Sequence, residues 1–276
     1  MTLFDLDDAQ PAPVGATVRV KLVVAYDGSG FRGFARQHGV KTVGGALAAA
    51  IERVLGHAVD LTCAGRTDAG VHGWGQVVSF DADADAVGDA LELEHLQRAV
   101  NKLCAPTVVV RSAEVAPGFD ARRWAVARRY RYTIVNREVP DPFLASTAWH
   151  VTEPLDLAAM RLACDPIIGE HDFSSFSRRP RGDQPASMER RVLDARWDEL
   201  GDGVLRFEIT ASSFCHQMVR GLVGTMVAMG RGRRRAGEMA SILRARDRAA
   251  ARSLAPPHGL CLWEVVYPSQ ETDSTR

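Results

Sequence analysis

The chain has 276 residues, of which 46% are hydrophobic and 25% are charged, and its formal net charge at pH 7 is zero. This length accommodates one large or two modest domains, and the composition is typical of a soluble globular protein. No apolar run approaches the ~20 residues that span a bilayer, and the N-terminus lacks a basic-then-apolar signal pattern. We therefore expect a cytoplasmic protein without a membrane segment.

The cysteines and histidines do not indicate a metal centre. The five cysteines are widely scattered and none forms a C-x-x-C pair, so neither a zinc site nor a disulfide framework is predicted. The histidines also stand singly, among them His57, His72, His150, His171 and His216. We expect no bound metal.

The zero net charge conceals an asymmetry between the two halves of the chain. Residues 1–120 hold 10 Lys and Arg against 15 Asp and Glu, whereas residues 121–268 hold 23 Arg against 17 acids. Many of these arginines are clustered at Arg122–Arg123, Arg128–Arg131, Arg178–Arg181 and Arg231–Arg235. Such clusters favour a polyanion-binding face, although arginine from a GC-rich genome could equally be solvated surface charge.

The first half is predicted to alternate strands and helices after a disordered acidic lead-in at 1–16. A strand at Thr17–Tyr26 precedes a helix that Thr42 caps and that ends at Gly56. The remaining predicted elements are strands at Val59–Ala64 and Gln76–Phe80, an acidic turn at Asp81–Gly88, a helix at Asp89–Leu103 and a strand at Thr107–Val115.

The second half shows the same order of elements after a polar connector at Gly118–Trp124. The predicted elements are a strand at Ala127–Asn136, a helix near Leu155–Ile168, paired strands at Arg190–Glu199 and Val204–Ala211, helices at Phe214–Gly230 and Gly237–Ala245, and a strand at Leu260–Tyr267. Residues 269–276 are predicted to be a disordered tail.

The shared order predicts an α+β fold with two pseudo-equivalent halves, residues 17–120 and 121–268. Their mainly antiparallel strands join into one central sheet, helices pack on it, and a cleft lies between the halves. A basic second half that faces a loop of the first half makes this cleft the expected ligand site.

That loop is the glycine-rich stretch Gly65-Arg-Thr-Asp-Ala-Gly70, which lies between two predicted strands. Its glycines permit backbone conformations closed to other residues and close approach by another molecule. Asp68 could bond its own backbone in a turn or act as a lone functional carboxylate. His72, just beyond the loop, is expected to be a hydrogen-bonded structural side chain rather than a base.

Six segments in order and spacing resemble the tRNA pseudouridine synthase A family. They are Tyr26–Gln37, Gly65–Gly73, Ala127–Tyr132, Gly169–Phe176, Phe214–Gly224 and Gly259–Trp263. The resemblance implies isomerisation of uridine to pseudouridine at positions 38, 39 and 40 of the tRNA anticodon stem-loop, without cofactor or metal. It also implies a homodimer. The alternative is a non-catalytic tRNA-binding or chaperone protein on the same fold.

Residue roles follow from the resemblance only where the motifs match. Asp68 matches the catalytic aspartate, which is thought to act on a flipped-out uridine by attacking the base or C1′ or by removing the C2′ proton. Arg66 matches the residue that replaces the flipped base, and the Arg122–Arg131 and Arg231–Arg235 clusters are interpreted as phosphate contacts.

Two further residues are expected to bind the substrate. Tyr130 matches the tyrosine that stacks on uracil, and Arg220 matches the basic residue beside the aspartate. The alternatives are a core tyrosine, an arginine that extends from its helix to solvent, and local pairing of Arg66 with Asp68. Phe34 stands where the family usually has tryptophan, which leaves an RNA contact open.

Overall fold

The computed structural model describes residues 15–87, 90–179 and 187–268. Most of the predicted lead-in and the whole predicted tail lie outside these residues, as does Arg181 of one arginine cluster.

The first half contains four strands and three helices among the described residues. They are β1 (Thr17–Tyr26), α1 (Val43–Leu55), β2 (Thr62–Cys63), β3 (His72–Asp83), α2 (Ala84–Val87), α3 (Ala90–Cys104) and β4 (Val108–Val115). The strand at Thr17–Tyr26 and the bounds of α1 are as predicted: Thr42 Oγ1 accepts a hydrogen bond from the Gly45 N–H at 3.2 Å, and Gly56 ends the helix with φ 75°.

The second half contains six strands and four α-helices in the described part of the chain. They are β5 (Ala127–Asn136), β6 (Trp149–Val151), α4 (Leu157–Leu162), β7 (Gly169–Asp172), β8 (Glu189–Glu199), β9 (Val204–Ala211), α5 (Met218–Gly230), α6 (Met239–Ala245), α7 (Arg248–Ala251) and β10 (Leu260–Val266).

Three sequence predictions are wrong in their details. The acidic turn at 81–88 is instead the end of β3 followed by α2, because β1 pairs with β3 as far as Thr17 opposite Asp83. The helix near 155–168 is shorter, and a 3-10 turn at Asp165–Ile167 follows it. The helix from Phe214 begins only at Met218, because Gln217 adopts a left-handed conformation with φ 65°.

The strands form one large, mostly antiparallel sheet in the order β4-β1-β3-β10-β5-β9-β8-β7. In the first half β1 lies between β4 and β3, and in the second half β5 lies between β10 and β9. Each half thus places its first strand beside its last strand, and the two halves lie side by side in the sheet. They join where β10 runs parallel to β3, with Cys261 opposite His72 and Leu262 opposite Gly73. The predicted α+β fold with a joined central sheet is confirmed, whereas the boundary at residue 120 stays a prediction.

Two hydrophobic cores lie on this sheet. One contains buried side chains of β1, β3, β4, α1 and α3, and the other contains those of β5, β8, β9 and α5. Phe34 belongs to the first core: it is 3% exposed, and its ring centroid lies 5.8 Å from that of Tyr26. The replacement of tryptophan by phenylalanine at this position therefore changes core packing rather than an exposed contact.

The glycine-rich stretch predicted at 65–70 is the loop between β2 and β3, and the segment after β1 packs directly against it. A Cβ at Gly28 would lie 2.0 Å from the carbonyl oxygen of Val71. Gly33 has φ 101°, and the next residue, Phe34, donates its N–H to the Thr67 carbonyl at 3.1 Å. These contacts fix the backbone of the loop against the segment that follows β1.

No helix in the described ranges is long and apolar enough to cross a membrane.

We expect Gly28→Ala to destabilise the protein by about 1–3 kcal/mol or more, because the added methyl group meets backbone that cannot rotate away. Gly30→Ala is the matched control, since a Cβ there has no atom within 4 Å. Chemical denaturation of both variants measures the difference. Equal stabilities for the two variants would show that this contact does not hold the loop.

Candidate active site

The site is built around the carboxylate of Asp68, which the β2–β3 loop presents between two basic side chains. Nη1 of Arg220 lies 3.5 Å from Oδ2 of Asp68, and Nε2 of His216 lies 3.2 Å from Oδ1. The carboxylate is 24% exposed, so it is partly withdrawn from water but accessible.

Arg220 is fixed from a second direction and does not extend to solvent. Its side chain is 12% exposed, and its Nε donates a hydrogen bond to the Ala255 carbonyl at 2.8 Å. A guanidinium anchored in this way keeps its charge and presents its remaining N–H groups in a fixed direction. The structure thus brings Arg220 and Asp68 together, and the alternative of an arginine reaching into solvent does not hold.

Tyr130 lies on β5 near the same carboxylate. It is 8% exposed, and its ring meets that of Phe214 edge to face, with centroids 4.9 Å apart and an interplanar angle of 81°. Burial raises the pKa of Tyr130 well above its ordinary value, and the negative charge of Asp68 raises it further. The phenol therefore stays neutral at physiological pH, and its ring lies in the buried core of the second half.

Tyr132 has a structural role. It is fully buried, and its hydroxyl donates to the Pro256 carbonyl at 2.9 Å. Its ring also occupies the space beside Gly259, where a Cβ would lie 2.5 Å from it. Of the two tyrosines in this strand, only Tyr130 has a pKa that the charge of Asp68 raises.

Arg66 is exposed at the rim of the loop. Within the part of the chain that the structure describes, no ion pair joins Arg66 to Asp68, so the local pairing considered from the sequence does not form.

Polar side chains that are buried or partly buried hold the loop itself. The Tyr26 hydroxyl and Thr67 Oγ1 lie 2.8 Å apart, and the Gln76 amide donates to the Gly65 carbonyl at 2.6 Å. Arg128 donates to the Ala64 carbonyl and to the Ser212 carbonyl, both at 2.8 Å. Burial lowers the pKa of Arg128, but its four carbonyl contacts stabilise the cation and tie the loop to the second half.

His72 is a structural residue, as predicted. Its Nδ1 lies 3.1 Å from the Gly28 N and 3.2 Å from Oδ1 of Asp27. Nε2 lies 3.0 Å from the carbonyl oxygens of Ser146 and His258. The imidazole thus connects the segment after β1, the segment before β6 and the segment before β10.

Several clustered arginines pair with acids, and their interpretation as phosphate contacts stays a prediction. Arg131 Nε lies 2.6 Å from Glu208, whose side chain is 4% exposed. Burial raises the pKa of Glu208, but the hydrogen bond from Arg131 and the charges around it leave the pKa below its ordinary value. Arg231 and Arg233 both pair with Glu153, at 2.7 and 2.9 Å. Arg122 and Arg123 remain exposed.

The residue that sequence reasoning missed is His216. It was grouped with the scattered histidines, yet it contacts Asp68. No helical spacing identifies it, because His216 precedes α5, which begins at Met218. No group of three or more His, Cys, Asp or Glu in the described residues could hold a metal ion.

A carboxylate that is 24% exposed, paired with an arginine of the other half and lying near a tyrosine, is an arrangement capable of carboxylate chemistry. The family described as tRNA pseudouridine synthase matches residues 163–268. Proteins named tRNA pseudouridine synthase A are similar over nearly the full length. That of Methylobacterium nodulans is 43% identical over 91% of this chain and 96% of its own, and that of Moorella thermoacetica is 41% identical over 90% and 99%.

The likeness extends to distant bacteria. The tRNA pseudouridine synthase A of Myxococcus xanthus is 40% identical over 90% of this chain and 92% of its own length. The chain therefore belongs to the tRNA pseudouridine synthase A family, whose members are isomerases, and the resemblance in the six segments is confirmed.

Proposed function

We propose that this protein isomerises uridine to pseudouridine at positions 38, 39 and 40 in the anticodon stem-loop of tRNA in the cytoplasm, with Asp68 as the catalytic carboxylate. The observation that carries the proposal is the ion pair of Asp68 with Arg220, whose side chain is 12% exposed, near Tyr130 in a chain of this family. The anchored guanidinium holds one oxygen of a carboxylate that is itself only 24% exposed.

The reaction requires access to a base that is normally stacked. An enzyme that acts on a base inside a stem must first turn the nucleotide out, at a cost of a few kcal/mol. Asp68 lies recessed between the two halves, so the nucleotide must enter the cleft to reach it. Attack on the base, attack on C1′ and removal of the C2′ proton all require the same ionised and fixed carboxylate.

Tyr130 and Arg66 have complementary roles in this proposal. The neutral Tyr130 ring stacks on the uracil, a contact worth about 1–3 kcal/mol per base. Arg66, exposed at the loop rim, enters the space that the uridine leaves and contacts the neighbouring phosphates. Arg220 holds the carboxylate, and the exposed Arg122 and Arg123 contact the backbone without reading sequence.

We expect Asp68→Asn to abolish the release of tritium from tRNA transcripts labelled at uracil C5, while the affinity for tRNA changes little. The amide has the same shape but cannot act as a nucleophile or base. Sequencing of the modified product locates the site at positions 38–40. Release at the wild-type rate from the Asn variant would contradict the assignment, and tRNA binding without product by the wild-type protein would favour the non-catalytic alternative.

We expect Arg66→Ala to slow the reaction most where the target uridine is paired. The comparison uses two stem-loops that differ only in having adenine or a mismatch opposite the uridine, because a mismatched base costs less to turn out. The rate should fall on the order of tenfold more on the paired substrate than on the mismatched one. An equal loss on both would assign Arg66 to general phosphate binding.

We also propose that two chains associate through the sheet face that carries Trp74 and Trp263. Their rings stack with centroids 5.7 Å apart, and the guanidiniums of Arg111 and Arg131 cover them at 4.2 and 3.9 Å. Trp74 is nevertheless 44% exposed. Aromatic residues and arginine are the types enriched in the centres of interfaces.

Sedimentation is expected to give twice the 30.0 kDa chain mass for the wild type and the single mass for Trp74→Glu. Leu162→Glu is the matched control, because Leu162 is 62% exposed and lies on α4 rather than on β3 or β10. A monomeric wild type would contradict the dimer, and a dimeric Trp74→Glu would contradict this choice of surface.

A further inference from the structure

His216 contacts one oxygen of the Asp68 carboxylate, and Arg220 contacts the other. Its Nε2 lies 3.2 Å from Oδ1 of Asp68, whereas Arg220 contacts Oδ2. The imidazole is 43% exposed and the guanidinium 12%. The two partners therefore differ: Arg220 belongs to the protein interior, and His216 stands on the solvent side of the site.

The backbone that positions His216 has an uncommon conformation. The next residue, Gln217, has φ 65°, a left-handed conformation that is uncommon for residues other than glycine. The Gln217 side chain is held by Arg248 of α7, whose Nη2 donates to Oε1 at 2.6 Å. This turn ends just before α5 and directs His216 and Arg220, four residues apart, toward the same carboxylate.

One contact does not fix the plane of a carboxylate. The terminal torsion of an aspartate is broad, so a carboxylate held by one oxygen can rotate about its Cβ–Cγ bond. A donor on each oxygen defines the plane. Small displacements of a reacting group are costly, since an error of 1 Å can slow an enzyme by about 100-fold.

We propose that His216 is a positioning residue that fixes the plane of the Asp68 carboxylate for reaction. The proposal rests on the role given to Asp68 above. The role requires an N–H on Nε2, which the imidazolium has and which the neutral ring has in its Nε2–H tautomer. An uncharged donor of similar reach should therefore replace His216 in part, whereas an apolar side chain of similar size should not.

The test compares His216→Leu with His216→Gln by single-turnover kinetics on a tRNA anticodon stem-loop, together with the dissociation constant for the same RNA. We expect the Leu variant to lose at least about tenfold in the single-turnover rate. The Gln variant should stay within about threefold of the wild type, since its amide restores the hydrogen bond. Both should bind the RNA within about twofold of the wild type, because the defect lies in the reacting step.

His95→Leu is the matched control, because His95 is exposed on α3, which packs on the core of the first half. Thermal unfolding of all variants identifies a loss that is merely structural. A Leu variant with the wild-type rate would overturn the proposal, as would equal losses in the Leu and Gln variants. Asp68→Asn serves as the reference: if that variant stays active, the proposed function fails, whereas an inactive Asn variant beside a fully active Leu variant overturns the role of His216 alone.

Discussion

The ion pair between Asp68 and Arg220 is the interaction on which the site depends. Asp68 belongs to the first half of the chain and Arg220 to the second, so the pair forms only when both halves share one sheet. The parallel junction of β3 with β10 meets this requirement, because His72, four residues after Asp68, lies opposite Cys261. The Ala255 carbonyl, in the segment before β10, also accepts the hydrogen bond from Arg220 Nε. Removing either partner leaves a partly buried charge without compensation.

The other contacts around the site fix the β2–β3 loop, which contributes few side chains to the hydrophobic cores. Gly28 allows the backbone after β1 to approach Val71, His72 links three segments, and Arg128 ties Ala64 to the end of β9. Most of these contacts are made to the backbone of the loop. A side chain carried on a loop that rigid strands fix in this way has a well-defined position.

The sequence allowed the elements with local signals to be predicted. The strand at Thr17–Tyr26 and the helix between Thr42 and Gly56 have the bounds that alternation and capping predict. The elements that were wrong depend on distant partners: β3 extends through Asp83 because β1 pairs with it, and α5 starts late because Arg248 holds the turn at Gln217. The family resemblance pointed to Asp68, Arg220 and Tyr130, but His216 and the pairing of Arg131 with Glu208 required the fold.

The most direct test of the account is a crystal structure of the protein with an anticodon stem-loop that carries the target uridine. We expect this nucleotide to lie outside the stem, with its base against the Tyr130 ring. Its reacting atoms should lie within about 3.5 Å of an Asp68 oxygen, as a near-attack geometry requires. Arg220 should still hold the other oxygen. A complex in which the uridine remains stacked while another nucleotide or another carboxylate occupies the cleft would contradict it.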